Sequence, residues 1–204
     1  MTTLDLPPGY YELPRGRLAN VVTCLEMLEK PALRAAPAGH DFRLDRLGAA
    51  DTGRFRTLFA DVGRDLMWFS RLIMPAEKLA GIIGNPAVES SALVSGGRDI
   101  GLLELDFREE GQCELSFFGL SPQAIGKGAG RWLMNEALNR AWQRPIRRLW
   151  VHTCTYDSPE ALPFYRRSGF NPYATMIEVH DDPRQTGHLP ETASPQVPLL
   201  RPKT

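Results

Sequence analysis

Five residues, Gly126-Lys127-Gly128-Ala129-Gly130, carry three glycines between a strand-like run and the most regular helical pattern in the chain. Glycine admits positive φ and lets a backbone approach a ligand without an intervening Cβ. A helix N-terminus adds unpaired N–H groups and the positive end of the helix dipole, which suit a phosphate. Strand, glycine loop and helix therefore read as an anion cradle sized for a pyrophosphate. A Walker A loop would need glycine at Ser121 and Ser or Thr at Gly128, and a dinucleotide fingerprint would need glycine at Arg131. A tight turn holding no ligand remains the structural alternative.

The elements on either side follow from pattern. In GRWLMNEALNRAWQR, Leu133, Met134, Ala137, Leu138, Ala141 and Trp142 form one helical stripe, which Pro145 ends. Upstream, SSALVSG, DIGLLELDFRE and QCELSFFGL read as strands separated by Gly96-Gly97 and Glu110-Gly111 turns. DFRLDRL predicts a first strand, and AADTGRFRTLFADVG and PAEKLAGIIGN predict helices. Downstream, RRLWVHTCTYD predicts a strand and DSPEALPFYRRSGF a short helix, capped by Asp157 or Ser158 and ended at Gly169. NPYATMIEVH is the last strand. This order predicts an α/β fold with a mixed sheet at residues 41–182. Residues 1–40 read as an N-terminal extension packed on the core, with LANVVTCLEML as a strand or short helix. Residues 183–204 carry five prolines and read as an extended arm or disordered tail.

Charge narrows the partners. Acidic and basic side chains balance at 24 each, so the basic excess expected of a nucleic-acid binder is absent. No apolar run is long enough to span a membrane, and the N-terminus lacks the layout of a secretory signal. Cys24, Cys113 and Cys154 are far apart with no CxxC pair, which predicts reduced thiols in a cytoplasmic protein and no metal site.

FFGLSPQAIGKGAGRWLM resembles the acyl-CoA-binding motif of the GNAT acetyltransferases, and HTCTYDSPEALPFYRRSGF resembles their second signature, in the same order and spacing. The resemblance covers roughly residues 41–180. It implies a mostly antiparallel sheet with helices on both faces, splayed between its fourth and fifth strands to admit acetyl-CoA. It further implies that backbone groups of Phe118 and Leu120 pair with the pantetheine arm. The N–H groups from Gly126 through Arg131 (Gly126, Lys127, Gly128, Ala129, Gly130 and Arg131) would hold the pyrophosphate. Tyr165 matches the tyrosine that protonates the departing thiolate, and Ser158 stands where many members have an Asn. Aligned on the helix, Ile125 heads the pyrophosphate motif in place of Gln or Arg. Gln123 fits the literal pattern in a frame shifted by two residues.

Acetyl transfer to an amine by direct attack needs orientation, a polarised thioester, a base and an acid. Glu114 is the candidate base, with Glu104 and Asp106 in reserve; a solvated strand charge is its structural alternative. His152 and Cys154 stand at i, i+2 on one strand, roughly 6.5 Å apart, which favours packing over a Cys-His nucleophile. Met67-Trp68-Phe69 could line an acceptor pocket or simply fill core. The resulting expectation is an acyl-CoA-dependent N-acyltransferase acting on an amine, with a non-catalytic acyl-CoA sensor as the alternative. A homodimer through the extensions or a sheet edge is compatible with the sequence.

Overall fold

The computed structural model describes residues 5–201, so residues 1–4 and 202–204 of the two terminal segments lie outside it. Its strands are β1 (Arg17–Met27), β2 (Arg43–Leu47), β3 (Val88–Ser95), β4 (Arg98–Asp106), β5 (Gln112–Leu120), β6 (Arg148–Cys154) and β7 (Asn171–Asp181). The helices are α1 (Thr52–Gly63), α2 (Ala76–Ile83), α3 (Ala129–Ala141) and α4 (Ala161–Arg167). All seven strands form one sheet in the order β2-β3-β4-β5-β6-β1-β7. Every pairing is antiparallel except β5 with β6.

Each face of the sheet has its own core. Phe55, Phe59 and Val62 of α1, with Leu79 and Ile83 of α2, bury against Leu47, Ala92, Val94 and Leu102. On the opposite face the α3 stripe, including Leu133, Met134 and Leu138, packs with Tyr165 of α4 on Leu93, Leu103, Leu105 and Val151. This is the mixed, mostly antiparallel sheet with helices on both faces that the motifs imply.

The parallel pairing that positions the site is short. β5 and β6 are in register only from Gln112 to Glu114 against Arg148 to Trp150. A parallel pair needs a crossover, supplied here by α3, and beyond Glu114 the two strands diverge. On its other side β5 pairs with β4, where Glu104 faces Phe117 and Leu105 faces Leu115. Ser116 is thus the extra residue of a β-bulge, which bends the strand where the cleft begins.

The segment read as an N-terminal extension contributes a strand to the interior of the sheet. β1 pairs with β6 through Val22–Met27 and with β7 through Arg17–Glu26. It buries Val22, Cys24, Leu25 and Met27. The residues after Asp182 form an extended arm held on the body. Arg184 forms a buried ion pair with Asp182 at 2.7 Å and donates to the carbonyls of Ala193, Val197 and Pro198. Leu189 and Ala193 of this arm bury against Met67 and Tyr156.

Candidate active site

The divergence of β5 and β6 opens a cleft of about 750 Å³. From Leu115 to Leu120 the side of β5 facing β6 has no partner strand among the described residues, so its backbone groups need another hydrogen-bonding partner. An extended amide-bearing chain could satisfy them as an added strand would. Phe118 lines this edge against α4, with ring centroids 5.7 Å from Phe164 and 6.1 Å from Tyr165. Leu120, Ile125, Gly130 and Ser158 also line the cleft.

At one end of this edge lies the glycine loop. Gly126 and Gly128 hold φ of +81° and +80°, values that any side chain would strain. The first helical donors are the amides of Arg131 and Trp132, both bonded to the Gly128 carbonyl at 3.1 Å. Among the described residues no carbonyl accepts from the amides of Gly126, Lys127, Gly128, Ala129 or Gly130. Five adjacent free donors at a helix N-terminus fit a pyrophosphate. The Arg131 amide is already engaged by that carbonyl and does not join them. A Cβ at Gly128 would overlap the Pro37 ring, whereas one at Gly130 would make only ordinary contact with Leu120 at 3.6 Å. Ile125 is 67% exposed and brings no polar group to the loop.

At the apex of the cleft stands Glu114, the last paired position of β5 with β6. Burial pushes its carboxyl up to about 7, and the charges of Asp106 and Glu104 add to this, against opposing contributions from Ser116 and Arg71. His152, two residues beyond the Trp150 partner, places Nδ1 3.8 Å from the Glu114 carboxylate. Sequence reasoning weighed His152 only against Cys154, because its proximity to Glu114 depends on the parallel register of two distant strands. Burial pushes the Cys154 thiol up to about 11, as expected of a packed residue rather than an activated nucleophile.

The reserve carboxylates are otherwise employed. Glu104, 0% exposed, accepts from Arg71 and from the Ser90 hydroxyl, each at 2.6 Å. Asp106 is clasped by the Arg108 guanidinium and accepts from the Arg108 amide. Neither is free to take a proton from a substrate.

Tyr165 of α4 is 7% exposed and reaches the cleft wall. Burial holds its phenol well above the ordinary tyrosine range. Gly169, at φ +106°, ends the helix as the sequence suggested, with the Phe170 amide bonded back to the Tyr165 carbonyl. The start differs. Asp157 turns back to accept from the Thr153 hydroxyl and the Cys154 amide, and Ser158 accepts from the Glu160 amide at 3.3 Å.

Across the cleft, Met67, Trp68 and Phe69 all contribute to the wall. Met67 holds φ of +58°, while Trp68 packs on Phe59 and Phe117 at 5.4 and 5.2 Å. Phe69 lies 5.0 Å from the His180 ring. Among the described residues no group of three or more His, Cys, Asp or Glu side chains could hold a metal, and no helix is long and apolar enough to cross a membrane.

Residues 65–170 match the sequence profile of the acetyltransferase (GNAT) family. Among solved structures, a GCN5-related N-acetyltransferase from Kribbella flavida aligns with a TM-score of 0.56 and 16% identity, over 82% of this chain and 60% of its own. The PaiA N-acetyltransferase from Thermoplasma acidophilum, in complex with coenzyme A, aligns at 0.53 and 17%, over 69% of this chain and 99% of its own. A functionally unknown conserved protein from Staphylococcus epidermidis aligns at 0.58 and 13%, over 82% of this chain and 63% of its own. The chain thus spans less than two thirds of several larger proteins whose fold it shares. No curated protein sequence matches it.

Proposed function

We propose that this chain, which belongs to the acetyltransferase (GNAT) family, transfers an acetyl group from acetyl-CoA to an amine by direct attack. The observation that carries this reading is Glu114, a half-buried carboxyl at the apex of the cleft, 3.8 Å from His152 Nδ1 and pushed up to about 7. A binding-only sensor would gain nothing from such a group, since burying a carboxyl raises the energy of its charged form. A base works best with a pKa near the operating pH.

The free β5 edge and the amides of Gly126 through Gly130 would hold the pantetheine arm and pyrophosphate, placing the thioester beside Glu114 and Tyr165. The proton released from nitrogen after attack ends on the departing thiolate; before attack, the bound ammonium gives its extra proton to Glu114, directly or through one water, which frees the lone pair. His152, the neighbour of Glu114, offers a second station for that extra proton. Tyr165, with its pKa raised by burial, keeps its proton and stabilises the departing thiolate by hydrogen bonding, in place of the outright proton transfer that the motif implies. The acceptor walls favour a cationic amine. Asp61, Asp65 and Glu178 line them without an ion-pair partner among the described residues, while Arg71 and Arg108 are paired with Glu104 and Asp106.

Two measurements test this. Calorimetric titration should show saturable acetyl-CoA binding that Gly128→Ala weakens by at least about tenfold and Gly130→Ala leaves nearly intact. Absence of binding to the unaltered chain would remove acetyl-CoA as its donor. Tyr165→Phe should lower kcat in a thiol-release assay by about ten- to a hundredfold with little change in acetyl-CoA affinity. Unchanged turnover would take Tyr165 out of the chemistry.

A further inference from the structure

We propose that the β1–β2 connection is a strap laid over α3 and the glycine loop, and that its Arg34 joins Arg131 and Arg167 to bind the 3′-phosphate of coenzyme A. This rests on the acyl-CoA reading above and adds a recognition element outside the glycine loop.

The course of the strap is fixed by contacts with three parts of the donor site. Pro31 packs against Gly169 at the end of α4, where an added Cβ would come within 3.1 Å of it. Arg34 donates Nη1 to the Arg167 carbonyl at 3.2 Å, and its own carbonyl accepts from Asn135 of α3 at 2.8 Å. Pro37 then covers Gly128 so closely that no side chain fits there. His40 stacks on Phe42 at 4.4 Å and meets the Trp132 ring edge at 5.6 Å. The strap therefore runs from the end of α4, over α3, to the loop that would hold the pyrophosphate.

This path gathers positive charge. Arg131, in the first turn of α3, donates Nη1 to the Ser168 hydroxyl at 3.0 Å and lies 4.8 Å above the Phe164 ring. Its anchor on Ser168 is adjacent in sequence to the Arg34 anchor on the Arg167 carbonyl, so two guanidiniums end on neighbouring residues. Arg167 itself lines the cleft. Among the described residues none of these three arginines is within ion-pair distance of a carboxylate. Burial lowers the Arg131 pKa, and the charges of Arg34 and Arg167 lower it further. Like charges held together without a counter-ion are unfavourable until an anion enters between them.

The chemistry of the anion follows from the site's neighbours. The amides of Gly126 to Gly130 suit a pyrophosphate diester chain through backbone donors. A cluster of planar guanidiniums beyond them suits a phosphate monoester dianion, which arginine can bind through paired hydrogen bonds. Coenzyme A carries one such group, on the ribose, beyond its pyrophosphate.

The test is calorimetric titration of the full chain with coenzyme A and with 3′-dephospho-coenzyme A, in a phosphate-free buffer. The expected result is at least about tenfold tighter binding of coenzyme A. Arg34→Ala should erase most of that difference while leaving affinity for the dephospho compound unchanged, which also reports an intact fold. Arg34→Lys should retain part of it. Equal binding of the two ligands by the unaltered chain would overturn the proposal while leaving the donor reading in place. An Arg34→Ala loss shared equally by both ligands would also overturn it, by showing the strap to be packing alone. Failure of both ligands to bind would remove the donor reading and this proposal together.

Discussion

Glu114→Gln should lower kcat/KM by about a hundredfold or more at pH 8 and, at the same pH, make the protein more stable. The two effects share one cause. Burial raises the Glu114 carboxyl from an ordinary 4.5 to about 7, so folding opposes its ionisation. A folded-state pKa above the unfolded value costs no stability below about 4.5 and costs increasingly more as pH rises to about 7. At roughly 1.4 kcal/mol per unit, this charge removes on the order of 3 kcal/mol at pH 8, which the uncharged amide restores. Urea unfolding at pH 5 and pH 8 isolates the contribution, because other titrating groups cancel in the difference between the two proteins. The variant's gain in stability over the parent should be under about 1 kcal/mol at pH 5 and on the order of 3 kcal/mol at pH 8. The parent's kcat/KM should rise about tenfold per pH unit below 7 and level off above it. Parallel stability-pH curves would mean that Glu114 ionises freely and is not held poised.

Glu104→Ala should destabilise the protein by about 3–5 kcal/mol, the cost of stripping a partner from a buried ion pair. Arg71 is 9% exposed, bonds Glu104 at 2.6 Å and lies 5.1 Å from the Phe117 ring centroid on the cleft wall. Without Glu104 its guanidinium is left buried and unneutralised unless it swings into the cleft, where it would repel a cationic amine and raise the acceptor KM. Ser90 loses its acceptor as well. Replacing Arg71 and Glu104 together with Met should cost much less than the single change, since paired hydrophobic substitutes avoid the stranded charge. A loss below about 1 kcal/mol in urea for Glu104→Ala would show that Arg71 needs no such partner.

What could be read from sequence was local. β5 begins and ends at the residues its pattern predicted, because an alternating run between a glycine turn and a glycine loop specifies its own limits. The positive φ at Gly126, Gly128 and Gly169 was likewise written in residue type. The interior position of β1 was not. Its partners are β6 and β7, far along the chain, and its burial alternates too irregularly to announce a two-sided strand. Asp157 carried the chemistry of a helix cap, yet Thr153 and the Cys154 amide compete for the same carboxylate and hold it. The C-terminal prolines suited an arm or a tail equally. What holds the arm is the Asp182–Arg184 pair, whose burial depends on carbonyls that only the fold brings near.

Because β1 lies between β6 and β7, the chain's earliest strand cannot take its place until its latest strands have been made. During synthesis, Cys24 has no partner until His152 and Ala174 emerge. Helices α1 and α2 and the antiparallel β2–β5 ladder use nearer contacts and can form first. The strap, tethered to β1, cannot settle over the glycine loop before that late insertion. The β6 side of the cleft would thus be completed after the β5 side, leaving a newly made chain with apolar strand edges exposed and in need of protection until β1 is inserted.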